Sequence, residues 1–152
     1  MNKTTNYGGL PSPYGEPAGS RIVVLPVPYD RTSTWKKGAD RGPEAIFQAS
    51  ANMELYDIET DSEVYRRGIF TDAPVAGDLE PEELVATVRR RVQGHLANHK
   101  FVVVVGGEHS VSTGAAQAHA EWYPDLTVLQ LDAHTDLQHR QVRIPLGVGL
   151  GG

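Results

Sequence analysis

The sequence predicts an α/β fold built on a parallel sheet. Residues 22–25 and 101–105 are continuous apolar runs rich in β-branched side chains, as in strands buried on both faces, and residues 126–131 form a further, mainly apolar run. Segments with the apolar spacing of helices separate these runs. Alternating strands and helices build right-handed βαβ units, with helices on both faces of the sheet. A further short strand is expected at 68–70, and the Gly- and Pro-rich residues 1–20 predict an extended N-terminal arm.

Three helices are expected from periodicity and from signals at their ends. Residues 78–100 place apolar side chains at spacings of three to four, with acids near the start, where the helix dipole favours them. Pro43 follows Gly42 and opens a helix that is expected to extend through 45–52, because proline suits the first helical position. Residues 111–122 predict a helix of small residues. Residues 138–152 show no helical or strand period and predict an irregular tail.

Composition limits the classes of function. The 152 residues suffice for one domain with a core, and 39% hydrophobic with 22% charged residues is ordinary for a globular protein. A net charge of −5 and a pI of about 5.6 argue against nucleic acid or an anionic membrane as partner. The absence of cysteine excludes disulfides and zinc–thiolate sites. No secretory signal or span-length apolar run is visible, so a cytoplasmic protein is expected.

Two polar motifs directly follow predicted strands. Residues 106–110 read Gly-Gly-Glu-His-Ser, and residues 132–136 read Asp-Ala-His-Thr-Asp. The carboxyl ends of parallel strands share one edge of a sheet, where ligands bind. Alternate residues of extended backbone point to one side, so the second motif can direct three side chains to one point. Imidazoles and carboxylates without thiolates suit manganese or a similar divalent ion. The sequence therefore predicts a metal site formed by His109, Asp132, His134 and Asp136.

Simpler interpretations remain for individual residues. A lone histidine after a strand, such as His109 taken by itself, is more often structural than a ligand. Glu108 is expected either to hold the metal ligands in place without binding the metal or to form hydrogen bonds with the loop backbone. Ser110 is expected to cap the following helix. His95 and His99 have the i, i+4 spacing of a ligand pair but no partnering acid motif, so solvent exposure is expected for both.

These motifs, together with three earlier stretches, resemble a known family. The earlier stretches are Leu-Pro-Val-Pro-Tyr-Asp at 25–30, Gly-Ala-Asp-Arg-Gly-Pro-Glu-Ala-Ile at 38–46 and Glu-Leu-Tyr-Asp at 54–57. The chain resembles the ureohydrolases, which include arginases, agmatinases and formiminoglutamases, and it looks most like the agmatinase branch. The resemblance implies the N-terminal part of an arginase-type three-layer α/β/α domain, here at residues 21–137. It also implies a homo-oligomer, a trimer or hexamer.

The resemblance also implies a chemistry. It is manganese-dependent hydrolysis of a guanidino compound, here agmatine to putrescine and urea, by a hydroxide held between two ions. By position, His109 and Asp136 would bind one manganese ion, His134 the other, and Asp132 would bridge the two. No catalytic residue beyond these ligands is identified, and the substrate contacts are not assigned.

The chain also departs from the family pattern. The family's later Ser-x-Asp-x-Asp motif, which supplies two more ligands, does not occur in this sequence. A second ion would keep only His134 and Asp132. We interpret the chain as a C-terminally truncated ureohydrolase, with a catalytically inactive, metal-binding or oligomerising fragment as the alternative. A metal-dependent deacetylase of the same superfamily fits less well, because Gly-Gly-Glu-His-Ser is typical of ureohydrolases.

Overall fold

The computed structural model describes residues 6–134, which form a parallel sheet with strand order β2-β1-β3. Its strands are β1 (Ile22–Val27), β2 (Ile69–Thr71) and β3 (Phe101–Gly106), and its helices are α1 (Gly42–Ser50), α2 (Pro81–Ala97) and α3 (Val111–Trp122). Short 3₁₀ turns lie at Tyr7–Gly9, Ala39–Arg41 and Val64–Arg67. The predicted parallel α/β fold is confirmed. In residues 6–134 no helix has the length and apolar character that crossing a membrane requires. The expected tail at 138–152 lies outside the described residues.

The main core lies between the sheet and the helix pair α2 and α3. Leu25 of β1 pairs in register with Val104 of β3, and both side chains pack in one apolar cluster. The α2 side chains Leu84, Val88 and Val92 join the cluster and are fully buried. Burying a side chain of this size stabilises the fold by about 1.5–3 kcal/mol. The apolar stripe of α2 therefore fixes this helix against the sheet.

The opposite face of the sheet is covered as well. Side chains alternate along a strand, so Val24 of β1 points away from the α2–α3 side, yet it is only 3% exposed. Helix α1 contacts β3 and contributes the buried Phe47. Helices thus lie on both sides of the sheet, which gives the three layers expected from the resemblance.

Strand β1 extends two residues beyond the predicted strand at 22–25. The sequence predicted that Pro26 would end the strand, but β1 continues to Val27 and Pro26 lies opposite Val105. The prediction was wrong because β2 pairs with β1 only as far as Val24. Beyond that point one edge of β1 has no strand partner among the described residues, so the N–H group that proline lacks is not needed there.

The third predicted apolar strand is not formed. Residues 126–131 contain no regular element, and Val128, Leu129 and Leu131 are exposed. Consequently β3 is an edge strand among the described residues, and its Phe101 is 68% exposed. An apolar run becomes a buried strand only where a partner edge and covering layers exist, and periodicity does not report either.

A polar cluster joins the end of β2 to α2. The Asp72 carboxylate lies 2.7 Å from Arg91 Nη2 and 2.6 Å from His95 Nε2. Arg91 also donates to the backbone oxygen of Ala73 at 2.8 Å. Burial raises the pKa of Asp72, but the hydrogen bonds from Arg91 and His95 outweigh it and hold that pKa below its usual value.

Asp72→Asn is therefore expected to destabilise the fold by about 1–3 kcal/mol at neutral pH, because it removes charge-assisted bonds at a half-buried site. A carboxyl whose pKa is lower in the folded state stabilises above its ordinary pKa of 3.8, and this contribution disappears as pH falls through the folded value. Urea unfolding of both proteins at pH 7 and near pH 3 measures this difference. Asp125→Asn, at an exposed turn, is the control. A difference in unfolding free energy between the parent and Asp72→Asn that is equally large at both pH values contradicts a stabilising role for the ionised Asp72.

Candidate metal centre

The turn after β3 is built on two glycines that have no room for side chains. A Cβ on Gly106 would lie 2.1 Å from Val111 Cγ2, and one on Gly107 would lie 2.1 Å from the backbone oxygen of Tyr29. Gly107 N–H donates to the Val27 oxygen at 3.2 Å, which closes the turn against the end of β1. The absence of a side chain at Gly107 therefore lets the turn lie against the segment after β1, and its absence at Gly106 leaves room for Val111 of α3.

Glu108 fastens this turn to its surroundings. Its backbone N–H donates to the Tyr29 oxygen at 3.1 Å, and its carboxylate accepts the Ser110 N–H at 3.2 Å. The same carboxylate accepts hydrogen bonds from the hydroxyls of Ser110 and Thr32, the latter at 2.8 Å. The expectation that Glu108 binds loop backbone is confirmed. The expected Ser110 cap was wrong, because that hydroxyl donates to Glu108 and makes no capping bond to α3.

At this end of β3, Asp132 neighbours the two other predicted ligands that the structure describes, His109 and His134. Asp132 Oδ2 lies 3.2 Å from His109 Nε2, and Asp132 Oδ1 lies 3.7 Å from His134 Nδ1. The Asp132 side chain is 20% exposed, whereas the His109 and His134 side chains are 71% and 83% exposed. One carboxylate thus lies between two accessible imidazoles. Asp136, the fourth predicted ligand, lies outside the described residues.

The Asp132 carboxylate is held in its charged form. It accepts a hydrogen bond from the His134 backbone N–H at 2.8 Å, and this bond is the main reason why the pKa of Asp132 lies below its usual value. Burial opposes the shift, while the charges of His109 and His134 reinforce it. An ionised carboxylate is the form that a metal ion requires.

The donor chemistry fits a divalent ion. Donor atoms that share one ion at about 2.1 Å lie roughly 3 Å from each other, close to the 3.2 Å between His109 Nε2 and Asp132 Oδ2. Across residues 6–134, however, no three His, Asp, Glu or Cys side chains converge on a common point. In this arrangement the Asp132 oxygens contact the imidazoles directly. The described part of the centre is therefore a carboxylate and two imidazoles, a donor set that suits manganese or a similar divalent ion.

Of the two histidines with i, i+4 spacing, His95 and His99, one is less exposed than expected. His95 was expected to be exposed, but its side chain is only 21% exposed and its Nε2 lies against Asp72. The prediction missed this partner because Asp72 is 23 residues away in sequence, beside the end of β2. His99, which lies just after the end of α2, is exposed as expected.

Sequence reasoning assigned no role to the loop at 30–41, although its first residue ends one of the matching stretches. In the structure this loop lies against the 106–110 turn, and Thr32 bonds Glu108. The available signal was position: the loop follows β1, and the carboxyl ends of parallel neighbours share one edge of a sheet.

The comparisons with known proteins agree with this architecture. The chain belongs to the arginase family, whose sequence model matches residues 20–145. It is 41% identical over 134 residues to an N(1)-aminopropylagmatine ureohydrolase of Thermus thermophilus, covering 86% of this chain and 44% of that protein. An agmatinase of Bacillus cereus is 32% identical over 132 residues, covering 84% and 44%.

A solved structure also resembles it. The agmatine ureohydrolase of Thermoplasma volcanium superposes with a TM-score of 0.63 and 27% identity, over 66% of this chain and 34% of that one. The chain thus spans less than half the length of these relatives. The resemblance to the ureohydrolase family that the motifs predicted is confirmed, and the shared region includes the two motifs.

Gly107→Ala tests the closeness of the turn. The added methyl group would meet backbone oxygens of Tyr29 and Ala39, which cannot move without opening the end of β1. We expect a loss of about 2–3 kcal/mol or more in unfolding free energy. Gly94→Ala is the matched control: it lies within α2 with nothing within 4 Å of its Cβ, so it should stabilise by about 0.5–1 kcal/mol. Thermal denaturation measures both. Equal stability of the two variants contradicts the packing argument.

Proposed function

We propose that this chain carries the manganese-binding half-site of a ureohydrolase that hydrolyses a guanidino compound to urea and an amine. The observation that carries the proposal is the position of Asp132 between His109 and His134, at the carboxyl end of β3, in a chain of the arginase family. We propose His109, Asp132, His134 and Asp136 as the ligands, with Asp132 shared between two ions.

The residues of the proposed site would have different roles. The ionised Asp132 would supply carboxylate oxygens to an ion, and the largely exposed side chains of His109 and His134 would supply ring nitrogens. Glu108 and the glycine turn hold the backbone on which His109 stands. Divalent ions bound here would supply Lewis-acid activation of water at neutral pH.

The substrate proposed first is agmatine, which gives putrescine and so places the reaction in polyamine formation. The relatives support an agmatine-type guanidine, since their names are agmatinase and N(1)-aminopropylagmatine ureohydrolase. These names favour a guanidino substrate over the acetyl-lysine of a deacetylase. Family membership also supports assembly into trimers or hexamers, which belongs to the same proposal.

Asp132→Asn tests the metal site without turnover. The amide loses the negative charge and one strong donor oxygen, so Mn²⁺ affinity should fall at least about tenfold. Electron paramagnetic resonance of free Mn²⁺ during titration measures the dissociation constant. Asp125→Asn, at an exposed turn before 126–131, should bind as the unaltered chain does. Equal affinity of the two variants removes Asp132 from the site.

Urea release from agmatine and from N(1)-aminopropylagmatine tests the activity. The Mn²⁺-loaded chain, with its folding checked by circular dichroism, should release urea from at least one of them. His134→Ala should lower kcat at least about 100-fold, because it removes a ligand itself rather than a supporting group. His99→Ala, at an exposed helix end, should retain activity.

Absence of urea from a folded, Mn²⁺-binding sample would contradict the enzymatic proposal. The chain would then be a non-catalytic member that binds metal or assembles with other subunits. Urea from only one of the two guanidines would decide the substrate.

A further inference from the structure

Hydrogen bonds within the loop at 30–41 connect its start to its end. The Asp30 carboxylate accepts hydrogen bonds from the backbone N–H groups of Gly38 and Ala39, the latter at 3.1 Å. The Lys37 ammonium donates to the backbone oxygens of Asp30 at 2.5 Å and Arg31 at 3.0 Å. These bonds join the two ends of the loop, so it behaves as one compact piece.

The loop is also fixed to α2. Arg31 Nη1 donates to the backbone oxygens of Asp78 at 3.1 Å and Leu79 at 3.0 Å, and it pairs with Glu80 at 2.8 Å. Glu80 is the N-cap of α2, where its side chain takes part in a capping box with Glu83. Arg31 therefore fixes the loop to the start of α2.

A further hydrogen bond connects the loop to the turn that carries His109. Thr32 Oγ1 donates to Glu108 Oε1 at 2.8 Å, and the same carboxylate holds the Ser110 N–H on the other side of His109. The oxygen of Ala39 lies 3.0 Å from the position of a Cβ on Gly107, so the loop also rests on the turn by direct contact. His109 thus stands on a short turn with the loop on one side and α3 on the other.

We propose that Glu108 and Thr32 are positioning residues: their hydrogen bond ties the turn to the loop and thereby sets the position of the His109 imidazole. The Glu108 carboxylate joins the loop hydroxyl to the backbone directly after His109, so any shift of the loop moves that backbone. This inference rests on the proposed function for its consequence, since a displaced imidazole weakens a metal site. Supporting hydrogen bonds around ligands typically change metal affinity or activity by about 10–100-fold.

Thr32→Val is the central variant, because valine keeps the shape of threonine and removes only the hydroxyl donor. Thr32→Ser restores the donor and should restore every readout. Thr34→Val is the matched control: it is exposed in the same loop, and in the described part of the chain its hydroxyl makes no hydrogen bond. Glu108→Gln is a second variant that keeps the side-chain length and removes the charge.

The first readout is the ring resonance of His109, identified among six histidines by comparison with His109→Asn. The second is fluorescence anisotropy of Trp35, which lies in the loop, is 89% exposed and is the sole tryptophan in a Trp122→Phe background. In Thr32→Val we expect a shifted His109 resonance and lower Trp35 anisotropy, with Mn²⁺ affinity about tenfold weaker. Thr32→Ser and Thr34→Val should match the parent.

A His109 resonance that is unchanged in both Thr32→Val and Glu108→Gln overturns the proposal, as does an equal shift in Thr34→Val. A merely structural effect of Thr32 would lower stability without moving the ring resonance. The resonance and the anisotropy need neither metal nor turnover. A chain that releases no urea therefore counts against the proposed function alone, and the positioning role is decided separately.

Discussion

The parallel pairing of β1 with β3 is the constraint on which the candidate centre depends. One register runs from Ile22 opposite Phe101 to Val27 opposite Gly106, so both strands end at the same level. The glycine turn then folds against the end of β1, where Tyr29 accepts the Glu108 N–H. Because Gly107 leaves no space for a Cβ, the loop after β1 and the turn after β3 are in direct contact. A change in register would separate His109 from the loop that supports it.

Two carboxylate–imidazole groups in this chain differ in their surroundings. Asp72 and His95 lie 2.6 Å apart and are both largely buried, and Arg91 provides the compensating charge. That group is satisfied by the protein itself and connects β2 to α2. Asp132 has a similar chemistry, but both of its imidazole neighbours are mostly exposed. A carboxylate beside solvent-exposed imidazoles can exchange its neighbours for a ligand, whereas a satisfied buried group resists such exchange.

The helices were predictable because their signals are local. The apolar stripe of α2 and the acids and proline at its start lie within one segment, and α3 has the expected bounds, Val111–Trp122. Strand limits were less predictable. Pro26 is tolerated in β1 because β2 is too short to reach it, and residues 126–131 lack a strand partner among the described residues. Both outcomes depend on neighbours that are distant in sequence, so no local pattern could reveal them.

The sequence by itself determined the fold class, the family resemblance and the chemical character of the centre, since residue types and their placement after apolar runs are local properties. The tertiary structure decided which of those groups meet. It placed Asp132 between His109 and His134, gave His95 a partner in Asp72, and joined Thr32 to Glu108 across 76 residues. Such contacts follow from strand register and helix packing, because these bring together side chains whose spacing along the chain carries no signal.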